Sequence, residues 1–75
     1  MKKQIRIALD DKLNELGITR YRLSQDCGIK FQTIDDYYKN RVKRYDSDVL
    51  LRICLALDCD VSEIVKLIEI PENEL

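Results

Sequence analysis

The sequence predicts an all-α fold: one compact domain of five helices over residues 1–70, with a short extended segment at its N-terminus and a short acidic tail at residues 71–75. Three observations carry this reading. Apolar residues recur at helical spacing in five successive stretches. Residues that start or stop helices, namely Gly17, Thr19, Gly28, Asn40, Asp46, Asp60 and Pro71, stand between those stretches or at their ends. A chain of 75 residues makes one small domain with one core and has no room for a second catalytic unit.

Residues 1–8 are ambiguous. Ile5, Ile7 and Leu9 alternate as in a strand, whereas Ile5, Leu9, Leu13 and Leu16 follow helical spacing. The first helix is placed from Leu9 or Asp10 to Leu16, stopped by Gly17, with the preceding segment extended and free to pair with a partner strand. Asp10 and Asp11 suit a helix N-terminus, which explains this acidic pair better than paired catalytic carboxylates do. Thr19 caps the second helix. Leu23 and Cys27 share one face of it, and Ser24 lets another helix approach. Gly28 can take the positive φ that redirects the chain, and Ile29 drops into the angle so made. The third helix spans Phe31 to Lys39, with Ile34 and Tyr37 inward. Asn40 suits a left-handed position after it, and Val42 and Tyr45 anchor the following loop. Asp46 or Ser47 caps the fourth helix, which runs to Leu57 and buries Val49, Leu50, Ile53, Cys54 and Leu57. Asp60 and Glu63 form a capping box for a fifth helix, Val61 to Ile70, burying Val61, Ile64, Val65 and Ile68. Pro71 ends regular structure and the last four residues fray.

The stretch Arg20–Arg44 therefore reads as two short helices meeting at a tight turn, a helix-turn-helix. The spacing of Leu23, Ser24, Cys27, Gly28, Ile29, Ile34 and Tyr37 resembles that of phage repressor and Cro-like (Xre-type) regulators, over roughly residues 9–70. The resemblance implies a five-helix, lambda-repressor-like DNA-binding domain whose third helix enters the major groove. It places Lys30, Phe31, Gln32, Thr33 and Asp36 on the base-reading surface. Their chemistry suits that role: Gln32 can pair with adenine, Lys30 can donate to guanine, and Phe31 or Thr33 can touch a thymine methyl. The chain departs from the family pattern at Lys30, where a capping Ser or Thr is common, at Asn40, where Gly is common, and at Ser47, where an aliphatic residue is usual. Asp35 and Asp36 are a further departure, since phosphate repels carboxylates. One of them could accept from cytosine, and Asp35 could restrain Lys39 one turn on.

The net charge is −1, but its distribution is uneven. Residues 20–44 hold seven basic and three acidic side chains, whereas residues 45–75 hold two basic and eight acidic. Arg20 and Arg22 in the first turn of the second helix, and Lys30 before the third, oppose the helix dipole at roughly 0.3–1 kcal/mol each. Cations at two converging helix N-termini suit phosphate, which binds helix N-termini. Lys39, Arg41, Lys43 and Arg44 lie at and after the third helix, placed for phosphate contacts that set register.

No histidine, Gly-rich phosphate loop, activated nucleophile or metal constellation is present, so an enzyme is not expected, nor any cofactor. Cys27, Cys54 and Cys59 include no CxxC pair and are expected to be reduced. Cys27 and Cys54 are read as core residues and Cys59 as the exposed thiol. The opening MKKQIRIALDD has no apolar run suited to a signal peptide, which points to a cytoplasmic protein. Leu51, Leu55, Leu67 and Ile70 have no place in a five-helix core, and we expect them to form a homodimer interface between C-terminal helices. The expected function is a sequence-specific DNA-binding regulator, acting as a repressor on double-stranded DNA. The alternative is a protein-interaction module on the same fold, an antitoxin-like or anti-repressor partner, which the acidic C-terminal third and the surplus leucines would suit.

Overall fold

The computed structural model describes residues 2–71. The order of elements is β1 (Lys2–Ile7), α1 (Leu9–Leu16), α2 (Arg20–Cys27), α3 (Phe31–Tyr38), α4 (Ser47–Leu57), a 3₁₀ turn (Val61–Glu63) and β2 (Val65–Ile70). The expectation of an all-α, five-helix domain is thus corrected. Four α-helices are accompanied by a two-stranded antiparallel sheet, in which Lys2 faces Ile70 and Ile7 faces Val65. The expected fraying of the last four residues lies outside the described residues.

The first four helices sit where expected because their end chemistry is local. The Thr19 hydroxyl accepts from the Arg22 N–H at 3.0 Å, and the Asp46 carboxylate accepts from the N–H groups of Asp48 and Val49. Helices α1, α2 and α4 end in the same way. A residue with positive φ (Gly17, Gly28 or Asp58) lets the next N–H return to a carbonyl five residues back: Ile18 to Leu13, Ile29 to Ser24, Cys59 to Cys54. Asn40, also at positive φ, follows α3.

The fifth helix fails after one turn. The capping box is present: Asp60 accepts from Ser62 and Glu63 reaches back to the Asp60 N–H at 2.8 Å. Beyond it, Val65, Ile68 and Ile70 are β-branched and favour a pleated surface. β1 offers that surface a ladder, and the strand wins. Val61, expected in the core, is 46% exposed. Leu67 and Ile70, expected on one helical interface, lie on opposite faces of β2 because they are three positions apart. The strand alternative for Ile5 and Ile7 holds, and the partner strand is the chain's own C-terminal segment.

The core gathers Ile7 from β1, Leu9 and Leu13 from α1, Leu23 and Cys27 from α2, Ile34 and Tyr37 from α3, Ile53 and Leu57 from α4, and Ile64. Ile29, Val42, Val49, Leu50 and Cys54 pack partly buried around it, as their spacing implied. Cys59, expected to be exposed, is half-buried against the same core. In its α4 cap it stands where an apolar residue commonly covers the turn. Lys12 ties α1 to the 3₁₀ turn, its Nζ lying 2.9 Å from Glu63 and 3.0 Å from Glu15. Those two bonds raise its pKa above the usual lysine value.

Candidate nucleic-acid interface

Helix α3 turns one side to the core and one to solvent. Ile34, Asp35 and Tyr37 are buried, while Phe31 and Gln32 are exposed, Phe31 at 44%. Thr33 and Asp36 are half-buried on its outer flank. The expected base-reading residues are therefore brought together on one accessible edge, beginning at Lys30. Lys30 precedes the helix, is exposed and makes no side-chain cap. Phe31 does not fold back into the core.

Asp35 occupies an unexpected position. Its side chain is largely covered, and three cations converge on it: Arg20 Nη1 at 2.6 Å, Arg41 Nη2 at 2.8 Å and Lys39 Nζ at 3.5 Å. Burial alone would raise its pKa. The Arg20 hydrogen bond and the Lys39 charge outweigh that effect, and the carboxyl is held below its usual range. The Lys39 contact was legible from i, i+4 spacing. Those from Arg20 and Arg41 required knowing how α2 and the loop pack on α3. Asp36 is engaged too, accepting from Gln32 at 2.9 Å and from Arg41 Nε at 3.1 Å. Arg20 also lies over the Tyr38 ring, 4.4 Å from its centroid.

These contacts divide the expected DNA-contacting cations into two groups. Arg20, Lys39 and Arg41 are organised around α3 by Asp35 and Asp36, and Arg22 pairs with Asp26 along α2 at 3.1 Å. Lys30, Lys43 and Arg44 are exposed and form no ion pair among the described residues. The carboxylates remove part of the positive potential but also hold the long side chains of Arg20 and Arg41 beside α3.

Two further residues shape this edge. The Asn40 side chain accepts from the Ile7 N–H at 2.7 Å and donates to the Ile7 carbonyl at 3.0 Å, fastening the end of α3 to β1. The Tyr37 hydroxyl accepts from the Asp46 N–H at 2.9 Å, closing the basic loop onto α4, and Tyr45 packs 6.2 Å from the Tyr37 ring. Sequence spacing marked Asn40 for its backbone but not for its amide. Among the described residues no group of His, Cys, Asp and Glu could hold a metal ion, and no helix is long and apolar enough to cross a membrane.

Two short helices meeting at Gly28, with the second exposed along one cation-flanked edge, define a helix-turn-helix DNA-binding unit. Residues 8–69 match the family model of the Cro/C1-type HTH DNA-binding domain, and the chain belongs to that family. None of the curated proteins matches this sequence. The fold is similar to that in the crystal structure of the transcriptional regulator VanUg. The TM-score is 0.73 at 22% identity, over 93% of this chain and 92% of that one.

Proposed function

We propose that this protein is a sequence-specific transcriptional regulator that acts as a repressor, occluding promoter DNA in the cytoplasm as a homodimer. Helix α3 enters the major groove with Lys30, Phe31, Gln32, Thr33 and Asp36 toward the bases. Arg20, Arg22, Lys39, Arg41, Lys43 and Arg44 meet phosphates. The observation that carries this reading is the exposed edge of α3 flanked by cations, two of them held in place by the buried Asp35. Of the surplus apolar residues expected at the dimer interface, Leu51, Leu55 and Leu67 are exposed and Ile70 is half-buried.

A band-shift assay against genomic fragments tests the proposal. Binding should weaken steeply with salt, and Arg44→Ala should lower affinity for all sequences alike and reduce the log–log salt slope by about 0.9. Gln32→Ala should change sequence preference. Unchanged affinity and preference in Gln32→Ala would refute the assigned reading edge. The second reading, a protein-interaction module of antitoxin-like or anti-repressor type, is favoured by Leu51 and Leu55, 55% and 72% exposed on α4 beside Asp58 and Asp60. A pull-down returning one stoichiometric protein and no enriched DNA would support it instead.

A further inference from the structure

Gln32 is exposed on the outer edge of α3, yet its amide is not free to turn. Nε2 donates to Asp36 Oδ1 at 2.9 Å, one helical turn on. An ionised carboxylate only accepts, so the amide has one orientation here: turned over, its oxygen would face a carboxylate. Gln32 Oε1 accepts no hydrogen bond among the described residues.

The carboxylate that fixes the amide is itself held from the other side. Asn40, at positive φ, lets the Arg41 N–H return to the Asp36 carbonyl at 2.9 Å. That turn brings the guanidinium back along the helix, where Nε and Nη2 lie 3.1 and 3.0 Å from the same Asp36 Oδ1. Arg41 Nη2 also lies 2.8 Å from the buried Asp35. Turning this oxygen away from Gln32 would therefore break its contacts with Arg41.

A carboxamide offers two hydrogens and one oxygen. With one hydrogen committed to Asp36, the outward side keeps one donor and one acceptor. In the major groove adenine presents an acceptor, N7, beside a donor, N6–H, whereas guanine presents two acceptors, N7 and O6. A free glutamine serves either purine, because it can turn a donor and an acceptor to adenine or both hydrogens to guanine. A glutamine held by a carboxylate can give adenine two bonds. It gives guanine one, and sets Oε1 against O6.

We infer that Asp36 is a positioning residue that restricts Gln32 to adenine, by taking the amide hydrogen trans to Oε1 and leaving the cis hydrogen and Oε1 side by side for N7 and N6. This rests on the reading edge proposed above and specifies its selectivity. It also gives a reason for a carboxylate on a surface that faces a polyanion: the Asp36 charge is met by Arg41, and its oxygen acts on the DNA through Gln32.

Selection of bound sites from a random DNA pool, followed by affinities for single-base variants of the selected site, tests the inference. The position read by Gln32 is the one whose preference is lost in Gln32→Ala. There the wild-type protein should favour adenine over guanine about tenfold or more, the discrimination of a bidentate pair. Asp36→Ala should bring the two purines to within about threefold at that position while preferences elsewhere stay as in wild type. Asp36→Glu keeps a carboxylate one turn from Gln32 and should restore adenine, whereas mere damage to α3 would lower affinity for every sequence alike. A readout that needs no variant is 7-deazaadenine at this position, which lacks N7 and should weaken wild-type binding about fivefold. Guanine preferred at the Gln32 position, or an adenine preference that Asp36→Ala leaves intact, would overturn the inference and leave the reading edge standing. So would a change confined to another base position in Asp36→Ala, which would make Asp36 a reader in its own right. Wild-type preferences throughout in Gln32→Ala would instead remove the reading edge, and this inference with it.

Discussion

Replacing Asn40 isolates what fastens the end of the proposed reading helix to the sheet. Its amide makes two hydrogen bonds to Ile7, at 2.7 and 3.0 Å, and Ile7 is fully buried. Asn40→Gly keeps access to the φ of 58° and removes only the side chain. Each lost bond costs about 1 kcal/mol net, and more where the Ile7 groups are left without water, so the loss is about 2–4 kcal/mol. Asn40→Ala adds the penalty of a Cβ in the left-handed region, about 1 kcal/mol further. A domain of this size has roughly 4–11 kcal/mol in total, so both effects should be large in urea denaturation. The ordering matters as much as the size: wild type, then glycine, then alanine. A glycine variant within about 0.5 kcal/mol of wild type would show that water replaces the amide without loss, and that Asn40 does not hold β1 to α3.

Gly28→Ala should cost about 1–2 kcal/mol, because φ is +68° while the nearest atom to an added Cβ, Arg52 Nη1, is 3.9 Å away; the cost is torsional, not steric. A thermal midpoint lowered by about 4–8 °C per kcal/mol would register it, and an unchanged midpoint would contradict the assigned turn. Acid should destabilise the fold through Asp35, Asp60 and Glu63. The side-chain and backbone bonds from Ser62 lower Asp60, and the Asp60 N–H and Lys12 lower Glu63. Carboxyls depressed in the folded state contribute stability that is fully present above their unfolded pKa, about 4, and is lost as pH falls through the folded values. Asp35→Asn should flatten that acid limb in urea midpoints measured from neutral pH downward, and an unchanged limb would remove Asp35 from this account. Burial, helped by Cys54 and Glu63, pushes the Cys59 thiol up to about 11. Its alkylation in the folded protein at mildly alkaline pH should therefore be at least about tenfold slower than in urea, as followed by mass spectrometry.

What could be read along the chain was what a few neighbouring residues decide together. Thr19, Asp46, Gly17, Gly28, the left-handed Asn40 and the Asp60–Glu63 box all act within five residues, and each stands in the structure as its chemistry implies. The exposed edge of α3 follows from the burial of Ile34 and Tyr37, which periodicity alone marked. Contacts between distant residues were not legible. Arg20 meets Asp35 across 15 positions, and Ile7 meets Asn40 across 33.

The C-terminal segment is the instructive case. VKLIEI is short enough to satisfy either period, and the capping box before it argued for a helix. Yet the helical reading left Leu67 and Ile70 without a place. A strand resolves this, because alternation puts Val65 and Leu67 on one face and Ile68 and Ile70 on the other, beside a β1 segment whose Ile5 and Ile7 carry the same alternation. The residue that decides between the periods is thus some sixty positions away, and the two ambiguous segments become unambiguous only as a pair. Unplaced apolar residues in a predicted helix were the local sign of a wrong period.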